Sequence, residues 1–266
     1  MDRLVDYSGP SSTGGRFARL TLNSPHNRNA LSARLVNELH QGLRDAAADP
    51  EVRTVILGHS GGTFCAGADL SQAAGGDLFD AAADRARELT ALLRAIVESP
   101  LPVVAAIDGH VRAGGLGLVG ACDIVVAGPK STFALTEARI GVAPAIISLT
   151  LLPKLSARAA GRYYLTGEKF DAAEAAAIGL ITITADDVEA CVGSLVDEIG
   201  TGSPQGLAAS KALTTAPILA GFDRDSERLS VDSARLFVSD EAQEGMLAFL
   251  QKRPPRWTHT DGGAAV

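Results

Sequence analysis

Apolar residues along the first half of the chain alternate between two spacings. From Phe17 to Leu22 they alternate with polar ones, which predicts a strand, and after Ser32 the residues Leu35, Val36, Leu39 and Leu43 share one face of a helix. Ser32 is placed to cap that helix, and Pro50 follows soon after its end. Continuous apolar runs at Val52 to Gly58, Pro102 to Asp108 and Asp123 to Ala127 read as buried strands, and Leu78 to Val97 as a helix ending before Pro100. Beyond residue 147 the pattern turns helical: Ile147 to Leu155, Ala157 to Leu165, Ala172 to Ala177, Val188 to Ile199, Pro204 to Leu213, and a long final stretch from Arg224 to Gln251. This order predicts a layered α/β core with a helical C-terminal region. The stretch from Gly9 to Gly15 reads as a turn joining two early strands, and Thr258 to Val266 as a frayed tail.

Composition narrows the setting. With 266 residues, 46% hydrophobic and 21% charged, the chain has the apolar content for one large domain, or a core domain with a smaller appendage. Its net charge of −7 opposes broad binding to nucleic acid or an anionic membrane, so an anionic ligand must meet a local cluster of cations. Cys65, Cys122 and Cys191 are an odd set without C-x-x-C spacing, which supports neither a disulfide framework nor a zinc site. Cys65 reads as a small buried hydrophobe rather than a nucleophile. None of the five histidines has metal-ligand spacing. Met1-Asp2-Arg3 lacks the build of a secretory signal, and no apolar run approaches the ~20 residues that span a bilayer, so a cytoplasmic protein is expected.

Two segments are too rich in glycine and alanine to be explained by packing alone: Phe64-Cys65-Ala66-Gly67-Ala68-Asp69-Leu70, and Gly109-His110-Val111-Arg112-Ala113-Gly114-Gly115-Leu116-Gly117. Each follows an apolar run. Small residues let a ligand approach the backbone, and amides left unpaired at a turn can donate to a developing oxyanion. The plainer reading is that both are tight strand-to-helix connections.

These segments, with Leu22-Asn23-Ser24-Pro25, Asn29-Ala30-Leu31, Cys122-Asp123-Ile124, Phe133, Glu137, Gly141, Pro144, Leu165-Thr166-Gly167-Glu168 and Glu244-Gly245-Met246, together resemble the enoyl-CoA hydratase/isomerase (crotonase) superfamily. The resemblance spans nearly the whole chain, in order and spacing. It implies an α/β fold: a spiral core of repeated ββα units over residues 1–200, which binds acyl-CoA, and a C-terminal helical trimerisation region over 201–266. It also implies a homotrimer or a homohexamer built as a dimer of trimers. Coenzyme A enters as a thioester substrate, with no prosthetic group and no metal.

Carried over by position, the resemblance places the two oxyanion donors on the backbone amides of Ala68 and Gly114 and the acid/base on Glu137. The other reading of Glu137 is an exposed helical glutamate paired with Arg139. His26 and Arg28 fall where the family meets the nucleotide, Ala66, Ala68 and Leu70 where it meets the adenine and pantetheine, with Asp69 also among the coenzyme-binding positions, and Phe249 and Lys252 on a C-terminal helix that reaches a neighbouring subunit's ligand. Asp69 is expected to be structural rather than a substitute catalyst. His26 and Arg28 can equally be a solvated loop, and Phe249 a core aromatic. Small residues between Ala73 and Ala83 suggest an acyl-pocket lid.

Three positions depart from the hydratase pattern. Gly117 stands where a first glutamate is expected, Ala145-Ile146-Ile147-Ser148 replaces a glycine-rich turn, and Arg112 is a long cation just before the second turn. The expected activity is hydration of a 2-enoyl-CoA, with water held by backbone or by Ser148. The alternatives are an isomerase that uses Glu137 as its only proton shuttle, and a non-catalytic acyl-CoA-binding protein.

Overall fold

The computed structural model describes residues 3–69 and 78–258. β1 (Val5–Ser8) and β2 (Phe17–Leu22) pair antiparallel. Where the sequence predicts only a turn between them, a single helical turn forms, α1 (Pro10–Thr13), with Pro10 at its first position and Gly14 closing it at φ 71°. α2 (Ala33–Ala48) is capped as expected: Ser32 Oγ accepts the Leu35 N–H at 3.2 Å, and Leu35, Val36, Leu39 and Leu43 are buried.

A repeating unit follows: a strand in one sheet, a short strand in a second sheet, then helix. It runs through β3 (Thr54–His59), β4 (Thr63–Cys65) and α3 (Leu78–Glu98), then β5 (Val103–Ile107), β6 (His110–Arg112) and α4 (Gly114–Ala121). The third pass is β7 (Ile124–Ala127), β8 (Thr132–Ala134), a 3-10 turn over Glu137–Ile140, and α5 (Ser148–Leu151), shorter than the helix predicted from Ile147 to Leu155. α6 (Ala157–Thr166), β9 (Phe170–Asp171), α7 (Ala172–Ala177), β10 (Ile183–Thr184) and α8 (Val188–Gly200) complete the core. The larger sheet has the order β1-β2-β3-β5-β7-β10, parallel from β2 onward, and the smaller one β4-β6-β8-β9. This is the crotonase-like α/β fold that the resemblance implies.

Helices on both faces explain why the central strands are apolar throughout. Every residue of β5 is buried: Val103, Ala105 and Ile107 join a core with α2 and α3, while Val104 and Ala106 pack with Ile56 and Val126 on Val188, Val192 and Val196 of α8.

The sequence divides the C-terminal region into helices ending at Leu213 and starting at Arg224, but α9 (Pro204–Phe237) runs unbroken through Pro217. A proline inside a helix removes one hydrogen bond and crowds the preceding turn. Contacts with α3 outweigh that cost. Ile218 and Phe222 are buried, Arg94 Nη1 reaches Asp223 Oδ1 at 2.6 Å, and Thr90 Oγ1 lies 3.2 Å from Ser230 Oγ. The break falls instead after Phe237, where Ser239 caps α10 (Asp240–Leu250).

Leu70 and the Ala73–Gly76 part of the expected lid lie outside the described residues. Ala81-Ala82-Ala83 belongs to the opening turns of α3, with Ala83 buried, so that end of the expected lid is helix. Among the described residues no helix is long and apolar enough to cross a membrane.

Candidate active site

The two glycine-rich turns meet. β4 delivers the first, and the chain from Ala66 to Asp69 is pinned by its own amides: Ala66 N–H donates to Arg28 O at 3.1 Å, Gly67 N–H to Cys65 Sγ at 3.5 Å, and Asp69 N–H to Leu31 O at 3.4 Å. The Ala68 N–H, between them, has no partner among the described residues. β6 delivers the second turn, where Ala113 N–H donates to Ala134 O at 3.2 Å and Gly114 opens α4 with its own N–H unpartnered among the described residues.

Close approach of the turns requires the small residues. Gly67 has φ 90°, and a Cβ there would lie 2.8 Å from Ala113 Cβ and 3.3 Å from Gly114 N. A Cβ on Gly114 would sit 3.8 Å from Ala68 N, and one on Gly115 only 2.8 Å from Cys65 O. Ala113 itself is held at φ 46°, a backbone conformation that costs ~1–3 kcal/mol for a residue with a side chain. That strain is confined to the residue whose dihedrals aim the Gly114 amide. Cys65 is buried and its thiol is pushed up to about 12 by desolvation, so it is inert at neutral pH, in keeping with a small buried hydrophobe.

Glu137 begins the 3-10 turn after β8, tied to the second glycine-rich turn through the Ala113–Ala134 bond. It is 8% exposed, and its Oε2 has no hydrogen-bond partner among the described residues. Burial raises its carboxyl from an ordinary 4.5 to about 7, partly offset by its own backbone amide. The surface pairing with Arg139 is not formed; Arg139 instead donates through Nε and Nη2 to Thr166 O at 3.1 and 2.9 Å.

Two of the departures from the hydratase pattern prove to be one substitution of space. A Cβ on Gly117 would meet Ile147 Cγ2 at 2.5 Å and Leu93 Cδ1 at 3.2 Å. Ile147, in the segment that replaces the expected glycine-rich turn, occupies the room beside Gly117. Next to it, Ser148 Oγ donates to Pro144 O at 2.6 Å and lies 3.1 Å from the Tyr164 hydroxyl, so the only hydroxyl expected to hold water is already engaged. Arg112 turns to the sheet, donating from Nη1 to Val111 O and Thr132 O and from Nη2 to Thr132 Oγ1, and it braces β6 against β8. Tyr164, and the placement of Ile147 against Gly117, are what sequence reading missed. The readable signal was paired: a glycine where bulk was expected, and bulk where glycine was.

The remaining predicted contacts divide. His26 and Arg28 are exposed, on a loop docked to the first turn through the Arg28 carbonyl, and Asn29 rivets that loop: its Nδ2 donates to Thr63 O at 2.8 Å and its Oδ1 accepts Ser24 N–H at 2.7 Å. Ala66 and Asp69 are half-buried on the same turn. Phe249 is 56% exposed and therefore not a core aromatic, and Lys252 is exposed just beyond α10. α10 backs the Glu137 turn: a Cβ on Gly245 would lie 2.5 Å from Ile140 O, and one on Gly141, at φ 79°, 2.6 Å from the Glu241 carbonyl carbon. No group of three or more metal-ligating side chains occurs among the described residues.

Residues 13–260 match the family described as Enoyl-CoA hydratase/isomerase. The chain is 73% identical to a crystal structure of an enoyl-CoA hydratase from Mycobacterium avium, with 97% of this chain and all of that one covered at a TM-score of 0.91. It is 30% identical over 271 residues to an enoyl-CoA hydratase of Alternaria alternata, covering 97% and 90% of the two chains. It is 31% identical over 254 residues to a carnitinyl-CoA dehydratase of Proteus mirabilis, covering 92% and 96%.

Proposed function

Because the chain belongs to the enoyl-CoA hydratase/isomerase family, we propose that it adds water reversibly across the double bond of a 2-enoyl-CoA thioester, with Glu137 as its sole carboxylate acid/base. The observation that carries this reading is the buried Glu137 carboxyl, raised to about 7, on the segment tied to two adjacent amides, with its Oε2 and both amides unpartnered among the described residues. Ionised Glu137 takes a proton from water as the water oxygen bonds to C3. The electron pair of the double bond moves to the thioester oxygen as an enolate, which the Ala68 and Gly114 amides stabilise. The enolate collapses as Glu137 returns a proton to C2, leaving a 3-hydroxyacyl-CoA. Each amide donor of this kind is worth about 3–4 kcal/mol of barrier.

On this reading Arg28 supplies a cation, and His26 a ring N–H, to the coenzyme A phosphates, and Ala66, Asp69 and Leu70 line the approach. Phe249, Leu250 and Trp257, large and exposed, together with Lys252, are surface that a second copy would cover in a trimer or hexamer. A second reading is isomerisation of a 3-enoyl-CoA, in which Glu137 carries one proton between C4 and C2. What favours it is Ile147, which fills the place of a second carboxylate with hydrocarbon. Following the conjugated thioester absorbance separates the two: hydration removes it from a 2-enoyl-CoA, and isomerisation creates it from a 3-enoyl-CoA. Binding of both without turnover would overturn the assignment as an enzyme of this chemistry.

A further inference from the structure

A water that adds to a double bond must present a lone pair to carbon while its two protons are held, so it needs two acceptors. Glu137 is one. The space beside Gly117 supplies no second, since Ile147 Cγ2 and Leu93 Cδ1 fill it.

The hydroxyl pair on α5 and α6 has a direction that follows from its third member. The Pro144 carbonyl can only accept, so Ser148, 2.6 Å away, spends its single proton there. Tyr164, 3.1 Å from the same Ser148 Oγ, must then donate to it. The phenol oxygen is left with lone pairs and no proton to give, an acceptor rather than a donor. The end of α6 packs on the segment that carries the acid/base: Arg139, two residues after Glu137, bonds Thr166 O, and a Cβ on Gly167 would lie 3.0 Å from Leu135 O. Tyr164 is half-buried.

We infer that the Tyr164 phenol oxygen accepts the second hydrogen of the water that Glu137 deprotonates, doing for orientation what a second carboxylate would otherwise do; this rests on the hydration reading above. Burial, reinforced by the Glu137 charge, pushes the phenol up to about 12, so it stays protonated and keeps its bond to Ser148 at neutral pH. No electron pair moves through Tyr164. It positions the nucleophile.

The test compares two reactions of the full-length protein that share Glu137 and the amides but differ in their need for a bound water. One is hydration of a 2-enoyl-CoA. The other is exchange of the C2 protons of a saturated acyl-CoA with deuterated solvent. Tyr164→Phe is expected to lower kcat for hydration about 10- to 100-fold, with KM within about 2-fold and the exchange rate unchanged. Ser148→Ala, which frees the phenol proton and turns the acceptor into a donor, should depress hydration in the same selective way. Equal loss of both reactions in Tyr164→Phe would make Tyr164 a support for Glu137 or the fold, and unchanged hydration would leave it without a role; either result overturns the inference. A wild-type protein that exchanges C2 protons yet does not hydrate removes the underlying reading instead.

Discussion

Glu137 and Glu244 are both buried glutamates, 8% and 7% exposed, and they have opposite chemistry. Glu244 accepts two bonds from Arg253, at 2.6 and 2.9 Å, and a third from the Arg256 amide at 3.0 Å, which hold its carboxyl down to about 2. Glu137 has an Oε2 without a partner among the described residues and stands at about 7. The two are neighbours in the fold, because the α10 backbone around Gly245 packs on the turn that Glu137 opens. A buried carboxylate whose lone pairs are filled fastens one segment to another. One left unfilled, in a fold that supplies a guanidinium fork to its neighbour, is available to a proton from elsewhere.

Four variants sharpen or break that contrast. Glu137→Gln has the largest expected effect: turnover falls about 10²- to 10⁴-fold while affinity for a CoA thioester, measured by calorimetry, stays near wild type. Retained turnover would remove Glu137 from the chemistry. The same substitution should alter the pH dependence of stability. A carboxyl raised from 4.5 unfolded to about 7 folded is protonated in the native state over the interval where the unfolded chain has already ionised, so stability is lost as pH rises from 4.5 through about 7. The full loss is about 3 kcal/mol, and urea unfolding of Glu137→Gln should not show it.

Gly117→Ala comes next. Overpacking against Ile147 should cost ~1–3 kcal/mol, and Ile147→Ala in the same chain should cost less than the two single changes added. Strict additivity would mean that the two positions do not share one space. The smallest effect on turnover belongs to Glu244→Gln, which should lower the thermal midpoint by several degrees yet leave the properly folded protein active. A loss of activity matching that of Glu137→Gln would erase the difference between the two glutamates.

What could be read in advance was local. The Ser32 cap, the alternation of β2 and the two turns each depend on a few adjacent residues, and Gly67 and Gly114 stand where backbones approach. β4, β6 and β8 escaped because three residues are too few to show a period. The continuity of α9 through Pro217 depends on Arg94 and Thr90, more than a hundred residues earlier. The same holds for the missing carboxylate: Gly117 alone reads as a loss, and only the placement of Ile147 beside it shows the space to be taken. Burial of Glu137 was open in the sequence, where Arg139 two residues later offered a surface partner; the Thr166 carbonyl claims that guanidinium instead.

The most direct test of a lone, raised carboxyl at the centre of the chemistry is the pH dependence of kcat/KM for 2-enoyl-CoA hydration, with wild type and Glu137→Gln measured side by side. One ionisation near 7 should govern the wild-type rate, rising with pH as the base forms and then levelling, and the variant should show a low rate without that step. A wild-type profile flat from about pH 5 to about pH 9, or the same step surviving in Glu137→Gln, would contradict the account.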